Sequence, residues 1–180
     1  MPTITVDVNA VSGDTTSFNV NAATILSNAS DGDTGSTFFN TVANKTLTFA
    51  LEDISDLGIS FSSLNSLTPI VTAAAGGKGA MSFSIEIVSS DAVVTILEDT
   101  GGSSGTQTEF EGEVADLTGY ATNHFNDLSI RYTTTGGTQP VVSGVKATLD
   151  YTAAAAVAPP PYLKLEHGRY KVSKGRLKVV

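Results

Sequence analysis

The chain has 180 residues, no Cys, no Trp and a formal charge of −8. That length suits one domain or one domain with an appendage, and the lack of Cys removes disulfides, thiolate metal sites and a Cys nucleophile. No apolar run approaches the about 18 residues a membrane helix needs, and Met1–Ala10 shows neither the basic nor the apolar region of a secretory signal.

Strict apolar/polar alternation begins at once. Ile4, Val6 and Val8 alternate with Thr3, Thr5 and Asp7, and Leu47, Phe49 and Leu51 alternate with Thr46, Thr48 and Ala50. Phe83, Ile85 and Ile87 follow, then Leu128, Ile130 and Tyr132, then Val145, Ala147, Leu149 and Tyr151. Period two predicts half-buried strands with one face on a core and one in water. Further strands are expected at Ser17–Val20, Gly58–Phe61, Pro69–Thr72, Val93–Leu97 and Thr108–Val114. Asn21–Asn28 and Ala115–Tyr120 are each expected to form a short turn of helix. Gly-rich separators such as Ser30–Gly35, Gly76–Gly79 and Gly101–Gly105 supply turn conformations. About ten such strands with no long helix predict an all-β fold: an antiparallel, jelly-roll-like β-sandwich over residues 1–152.

Charge divides the chain. Residues 1–152 carry four basic and seventeen acidic side chains, whereas residues 153–180 carry six basic and one acidic. Between body and tail lies an Ala/Pro stretch ending in Pro159, Pro160 and Pro161, which reads as a linker over residues 153–161. The tail, residues 162–180, alternates Leu163 and Leu165 with Lys164 and Glu166, and Leu177 and Val179 with Arg176 and Lys178. Lys174-Gly175 stands where a hairpin turn would. A lone hairpin is marginal in water, so the tail is expected to order against another surface, and a neighbouring acidic body is electrostatically suitable. The expected docking side chains are Tyr162, Leu163, Leu165, Tyr170, Val172, Leu177 and Val179, with Lys164, Arg169, Lys171, Lys174, Arg176 and Lys178 supplying steering.

Chemistry-bearing patterns are few. Gly101-Gly102-Ser103-Ser104-Gly105 matches G-x-S-x-G, but that motif needs a strand before it and a helix after it, and Thr106–Val114 reads as a strand. Asp31-Gly32-Asp33 resembles the start of a calcium loop, yet Ser36 and Val42 occupy the places that an EF-hand gives to Gly and Glu. An Asp/Gly turn is the expectation there, with an irregular calcium site at Asp31 and Asp33 the alternative. His124 and His167 have no metal-ligand spacing. Glu109, Glu111 and Glu113 form a like-charged stripe, either a solvated face or an acceptor for the basic tail. Two sequons, at Asn28 and Asn44, have little weight without a secretory signal. No cofactor and no catalytic group is expected, an acidic body repels nucleic acid, and no membrane partner is expected. The aromatic residues fall mostly on apolar strand positions, where core packing is the default. A carbohydrate- or receptor-binding sandwich is the alternative to an assembly role.

Residues Ala115–Tyr151 contain Phe125-Asn126-Asp127-Leu128-Ser129-Ile130-Arg131 and a strand ending in Asp150-Tyr151. This run resembles the closing strands of jelly-roll-like domains in tailed-phage structural proteins. The Thr/Ser/Ala/Gly-rich, Cys-free composition and detachable arm resemble capsid decoration (cement) proteins. The resemblance implies a virion structural role on the capsid surface: a homo-oligomer, often a trimer, clamped to a shell of major capsid protein and made in the bacterial host cytoplasm. Tail tube and head–tail connector roles share this composition.

Overall fold

The computed structural model describes residues 1–39, 44–77, 81–89, 96–102, 106–137, 139–156, 170–173 and 176–179. Their alternating segments form two antiparallel sheets packed face to face, the all-β sandwich expected from period-two patterning. One sheet runs in the order β1 (Thr3–Val6), β11 (Pro140–Ala153), β5 (Phe61–Ala75), β8 (Thr108–Glu111). Short strands β3 (Phe38–Phe39) and β9 (Ala115–Asp116) flank it on β11 and β5. The other sheet runs β2 (Val8–Gly13), β4 (Thr46–Leu51), β10 (Ser129–Gly137), β6 (Met81–Val88), β7 (Ile96–Gly102).

The inward side chains are those that the alternation selects. Leu47, Phe49 and Leu51 of β4 and Phe83, Ile85 and Ile87 of β6 are buried, as are Ile130 and Tyr132 of β10. They meet Leu67, Val71, Ala147 and Leu149 from the opposite sheet. Fully burying one such Leu, Ile or Phe stabilises the fold by roughly 1.5–3 kcal/mol. Two aromatic groups bridge the layers: Phe83 meets Phe110 edge-on at 5.5 Å and lies 5.4 Å from Tyr132, while Phe38 lies 6.0 Å from Phe49.

The N-terminal alternation continues through Val8, but the chain changes sheets at Asp7. Val6 pairs with Ala147 in one sheet and Val8 with Leu51 in the other, so both valines reach the core from different layers. Ser17–Val20 is not a strand: Thr15–Ser17 makes a 3-10 turn, and Phe18 drops into the core against Phe38. The expected helix at Asn21–Asn28 is α1 (Ala22–Ser30), capped by the Asn21 side chain, which accepts a hydrogen bond from the Thr24 N–H at 3.0 Å. Ala115–Tyr120 is not helical. It begins as β9, and a single helical turn, α2 (Thr122–Phe125), follows instead and buries Phe125.

Gly58–Phe61 and Pro69–Thr72 were expected as separate strands. The first is extended only from Phe61, and both belong to the 15-residue β5. Pro69 is tolerated inside this central strand for a geometric reason. Its carbonyl accepts from the Gly112 N–H at 2.9 Å, so its ring nitrogen points to the same side, where β8 has already ended at Glu111. The ladder to β11 on the other side is left whole.

At the C-terminus, β12 (Tyr170–Ser173) and β13 (Arg176–Val179) pair antiparallel around Lys174-Gly175, as the tail alternation predicts. This hairpin is a sheet of its own, joined by no ladder to the sandwich among the described residues. Tyr162, Leu163, Lys164, Leu165, Arg169 and Lys174 lie outside the described residues.

Candidate functional site

A β-bulge starts the site. Val142 pairs with Ala73 and Gly144 with Thr72, leaving Ser143 as an extra residue in β11. The bulge shifts the phase, so Val142 and Val145, three apart, both face the core. Ser143 is buried, and its hydroxyl donates to Gln107 Oε1 at 3.0 Å. The Gln107 amide nitrogen donates in turn to the Val141 carbonyl at 3.2 Å. One glutamine thus closes the hydrogen bonding of the bulge and fixes the entry into β8.

Beyond Gln107, β8 places Glu109 opposite Thr72, and Thr72 lies opposite Gly144. Lys146 reaches diagonally across β5 to Glu109, Nζ to Oε1 at 2.6 Å. A Cβ on Gly144 would lie 3.2 Å from the Thr72 hydroxyl, so glycine keeps the floor open here.

The far wall comes from the end of α1 and the turn after it. The Ser30 hydroxyl donates to the Leu26 carbonyl at 2.9 Å and closes the last helical turn. Asp31 Oδ1 accepts from the Asp33 N–H, and Asp33 Oδ1 from the Gly35 N–H, both at 2.8 Å. These are consecutive Asx turns, with Gly32 at φ 68° between the two carboxylates. Asp7, at the sheet crossover, completes the rim.

The result is a groove of about 270 Å³ on the solvent side of the β1-β11-β5-β8 sheet. Ligand pockets span about 300–1,000 Å³, so this one suits a small occupant. Its lining offers the hydroxyls of Ser30, Thr34 and Thr72, the carboxylates of Asp7 and Glu109, and the Lys146 ammonium. Three segments distant in sequence are held by internal hydrogen bonds before any ligand arrives.

The residues singled out from sequence fall in several places. Asp31 and Asp33 both hold the turn beside this groove, and no group of three or more His, Asp or Glu with metal-binding geometry occurs among the described residues. Glu109 and Glu111 share the outer face of β8, but Glu109 takes Lys146 of its own chain, and Glu113 lies beyond the strand. Ser103 and Ser104 lie outside the described residues, and the next element after them is strand β8 rather than the helix that a nucleophile elbow requires. His124 is exposed on α2 against the Tyr120 ring, while His167 lies outside the described residues. The sequon residue Asn28 is engaged, its amide nitrogen donating to the Thr37 carbonyl at 2.9 Å. Phe39, Phe61, Phe110, Tyr120 and Tyr151 are half-buried, and among the residues of known exposure the large exposed apolar side chains are Met1 and Val114. Gln107, Ser143, Gly144 and Lys146 were not anticipated. The signal was the break in alternation at Val141-Val142-Ser143-Gly144-Val145, where a Gly inside a strand marks a bulge.

No known protein family description matches the chain, and no curated protein matches it. Solved structures similar to it include the CBM32 of AlyQ in complex with 4,5-unsaturated mannuronic acid, at 18% identity over 80% of this chain and 97% of that one, with a TM-score of 0.45. Truncated AlyQ with its CBM32 and alginate lyase domains matches at 18% identity over 87% of this chain and 36% of that one, with a TM-score of 0.46. PfGH50B matches at 9% identity over 67% of this chain and 21% of that one, with a TM-score of 0.42.

Proposed function

We propose that the sandwich is a binding module whose groove takes a saccharide. The observation that carries this is the lining itself. Hydroxyls, two carboxylates and an ammonium converge on a concave floor from β5, β8, β11 and the α1 turn. A sugar ring presents adjacent hydroxyls that both donate and accept. Carboxylates accept from them, the ammonium donates to them, and Ser and Thr do either. Because Gln107 and the Lys146–Glu109 pair are already held, little side-chain order is lost on binding. The groove's lining residues bring hydroxyl, carboxylate, amide and ammonium groups, so the binding proposed here runs on hydrogen bonds rather than on ring stacking. A glycan array with the full chain, followed by calorimetry on the best binder, tests the proposal. Thr34→Trp, which fills the groove from its exposed rim, abolishes binding and leaves the thermal transition in place.

A second reading, a virion structural protein of the decoration type, is favoured by a different feature. A basic hairpin stands at the end of an acidic sandwich as a separate sheet. Under this reading the arm, including Tyr170, Lys171, Val172, Arg176, Leu177, Lys178 and Val179, joins copies into an oligomer, a trimer on a major-capsid-protein shell. Tail-tube and connector roles belong to the same reading. Sedimentation of the full chain at low and high salt tests it, with a salt-sensitive oligomer as the expected result.

A further inference from the structure

We infer that the groove selects sugars that carry an ammonium group, such as glucosamine units, and discriminates against uronates. The inference rests on the saccharide reading and names its ligand class.

Among the described residues that line the groove, Lys146 is the single cation, and its ammonium already meets Glu109 Oε1 at 2.6 Å. To a ligand this pair is close to neutral. Asp7 differs. It stands one residue past the Val6–Ala147 pair, at the level of Lys146. Val6 turns into the core, so alternation turns Asp7 to the solvent face that Lys146 shares. The Asp7 carbonyl accepts from the Glu52 N–H at 3.0 Å, which holds the main chain at the crossover. Its carboxylate joins no ion pair among the described residues, where Lys45 and Arg131 are committed to Asp14 and Glu86.

The opposite wall adds negative potential from two further sources. α1 ends at the groove with Ser30, and the C-terminal end of a helix carries about half a negative charge. No basic side chain stands in the last turn of α1 to offset it. Gly32 and Thr34 of the lining alternate with Asp31 and Asp33, whose bonds to backbone N–H groups leave both charges in place. A uronate carboxylate would have to displace Glu109 from Lys146 while facing Asp7 and the end of α1. A sugar ammonium brings three donors to Asp7 and leaves the Lys146–Glu109 pair intact. The hydroxyls of Ser30, Thr34 and Thr72 remain for the ring.

Amide-shift titrations of the full chain with three disaccharides test the inference at about pH 6, which keeps a sugar amine protonated. The probes are diglucosamine, its neutral di-N-acetyl form and digalacturonate. Diglucosamine is expected to bind tightest, by about fivefold or more over the neutral form, and digalacturonate weakest. Asp7→Asn keeps the shape of the side chain and brings the first two within about twofold of each other. Asp127→Asn removes an exposed acid outside the lining and keeps the gap, which separates a local contact from general attraction to an acidic body. Equal affinity for diglucosamine and its neutral form, or tightest binding of digalacturonate, overturns the inference and leaves the saccharide reading standing. A gap that survives Asp7→Asn, or that Asp127→Asn removes, does the same. No saturable shift with any of the three overturns the inference, and an empty glycan array overturns the reading with it.

Discussion

Tyr132 offers the sharpest test of how this core is built. Its ring is fully buried between the sheets, and its hydroxyl has no hydrogen-bond partner among the described residues. A buried polar group left without a partner costs about 1–3 kcal/mol, whereas removing the hydroxyl keeps the ring and its contact with Phe83 at 5.4 Å. Tyr132→Phe is therefore expected to stabilise the protein by about 1–2 kcal/mol at neutral pH. Burial also pushes the Tyr132 hydroxyl well above the ordinary tyrosine range. The sign follows from proton counting. Above about pH 10 the unfolded chain releases the proton and the folded chain keeps it, so the stability is full below that pH and falls as pH rises. The loss reaches about 1.4 kcal/mol at about pH 11 for this one group. Phenylalanine removes that loss, so the gap between variant and parent widens by the same amount. Urea unfolding at about pH 8 and about pH 11 reads both effects. A destabilised variant, or a gap that stays constant with pH, refutes the reasoning.

Three further predictions concern separate parts of the fold. Gly112→Ala is expected to cost about 1–3 kcal/mol, because its Cβ would fall 2.8 Å from Pro69 Cγ and 3.0 Å from Ile85 Cδ1; urea midpoints check it. Asn21→Ala removes the cap of α1 and is expected to cost about 1 kcal/mol, whereas Asn21→Asp retains most of it in the same assay. Gln107→Ala strands the buried Ser143 hydroxyl and frees the start of β8, so it is expected to lose about 1–3 kcal/mol and to raise hydrogen exchange at Val141 to Val145.

The sandwich was legible where alternation ran unbroken. Thr46–Leu51, Phe83–Ile87 and Val145–Tyr151 declare their inner faces because one face must leave water and the other must not. The pattern misled wherever tertiary geometry overrode local period. At Asp7 the alternation runs on while the chain changes sheets, since Val6 and Val8 find burial on different layers. Pro69 splits one long strand into two in sequence, yet its missing N–H falls past the end of β8 and costs no ladder bond. The tail hairpin was readable from Lys174-Gly175 between alternating runs.

The candidate groove was hidden because its residues carry no shared motif. Asp7, Ser30, Thr72, Glu109 and Lys146 come together only through sheet order and a bulge, and neither leaves a spacing in the chain. The acidic stripe was visible, but the pairing of its Glu109 with Lys146 on β11 was not, since only the β11-β5-β8 order reveals it.

Saccharide binding in the groove is open to direct measurement. Backbone amide shifts of the full chain, followed while a panel of neutral and acidic oligosaccharides is added, test it at residue level. The predicted result is a saturable shift confined to Ser30–Thr34, Thr72, Gln107–Glu109 and Ser143–Lys146, absent in Thr34→Trp. Saturable shifts elsewhere on the sandwich, or none with any sugar at millimolar concentration, would contradict the account.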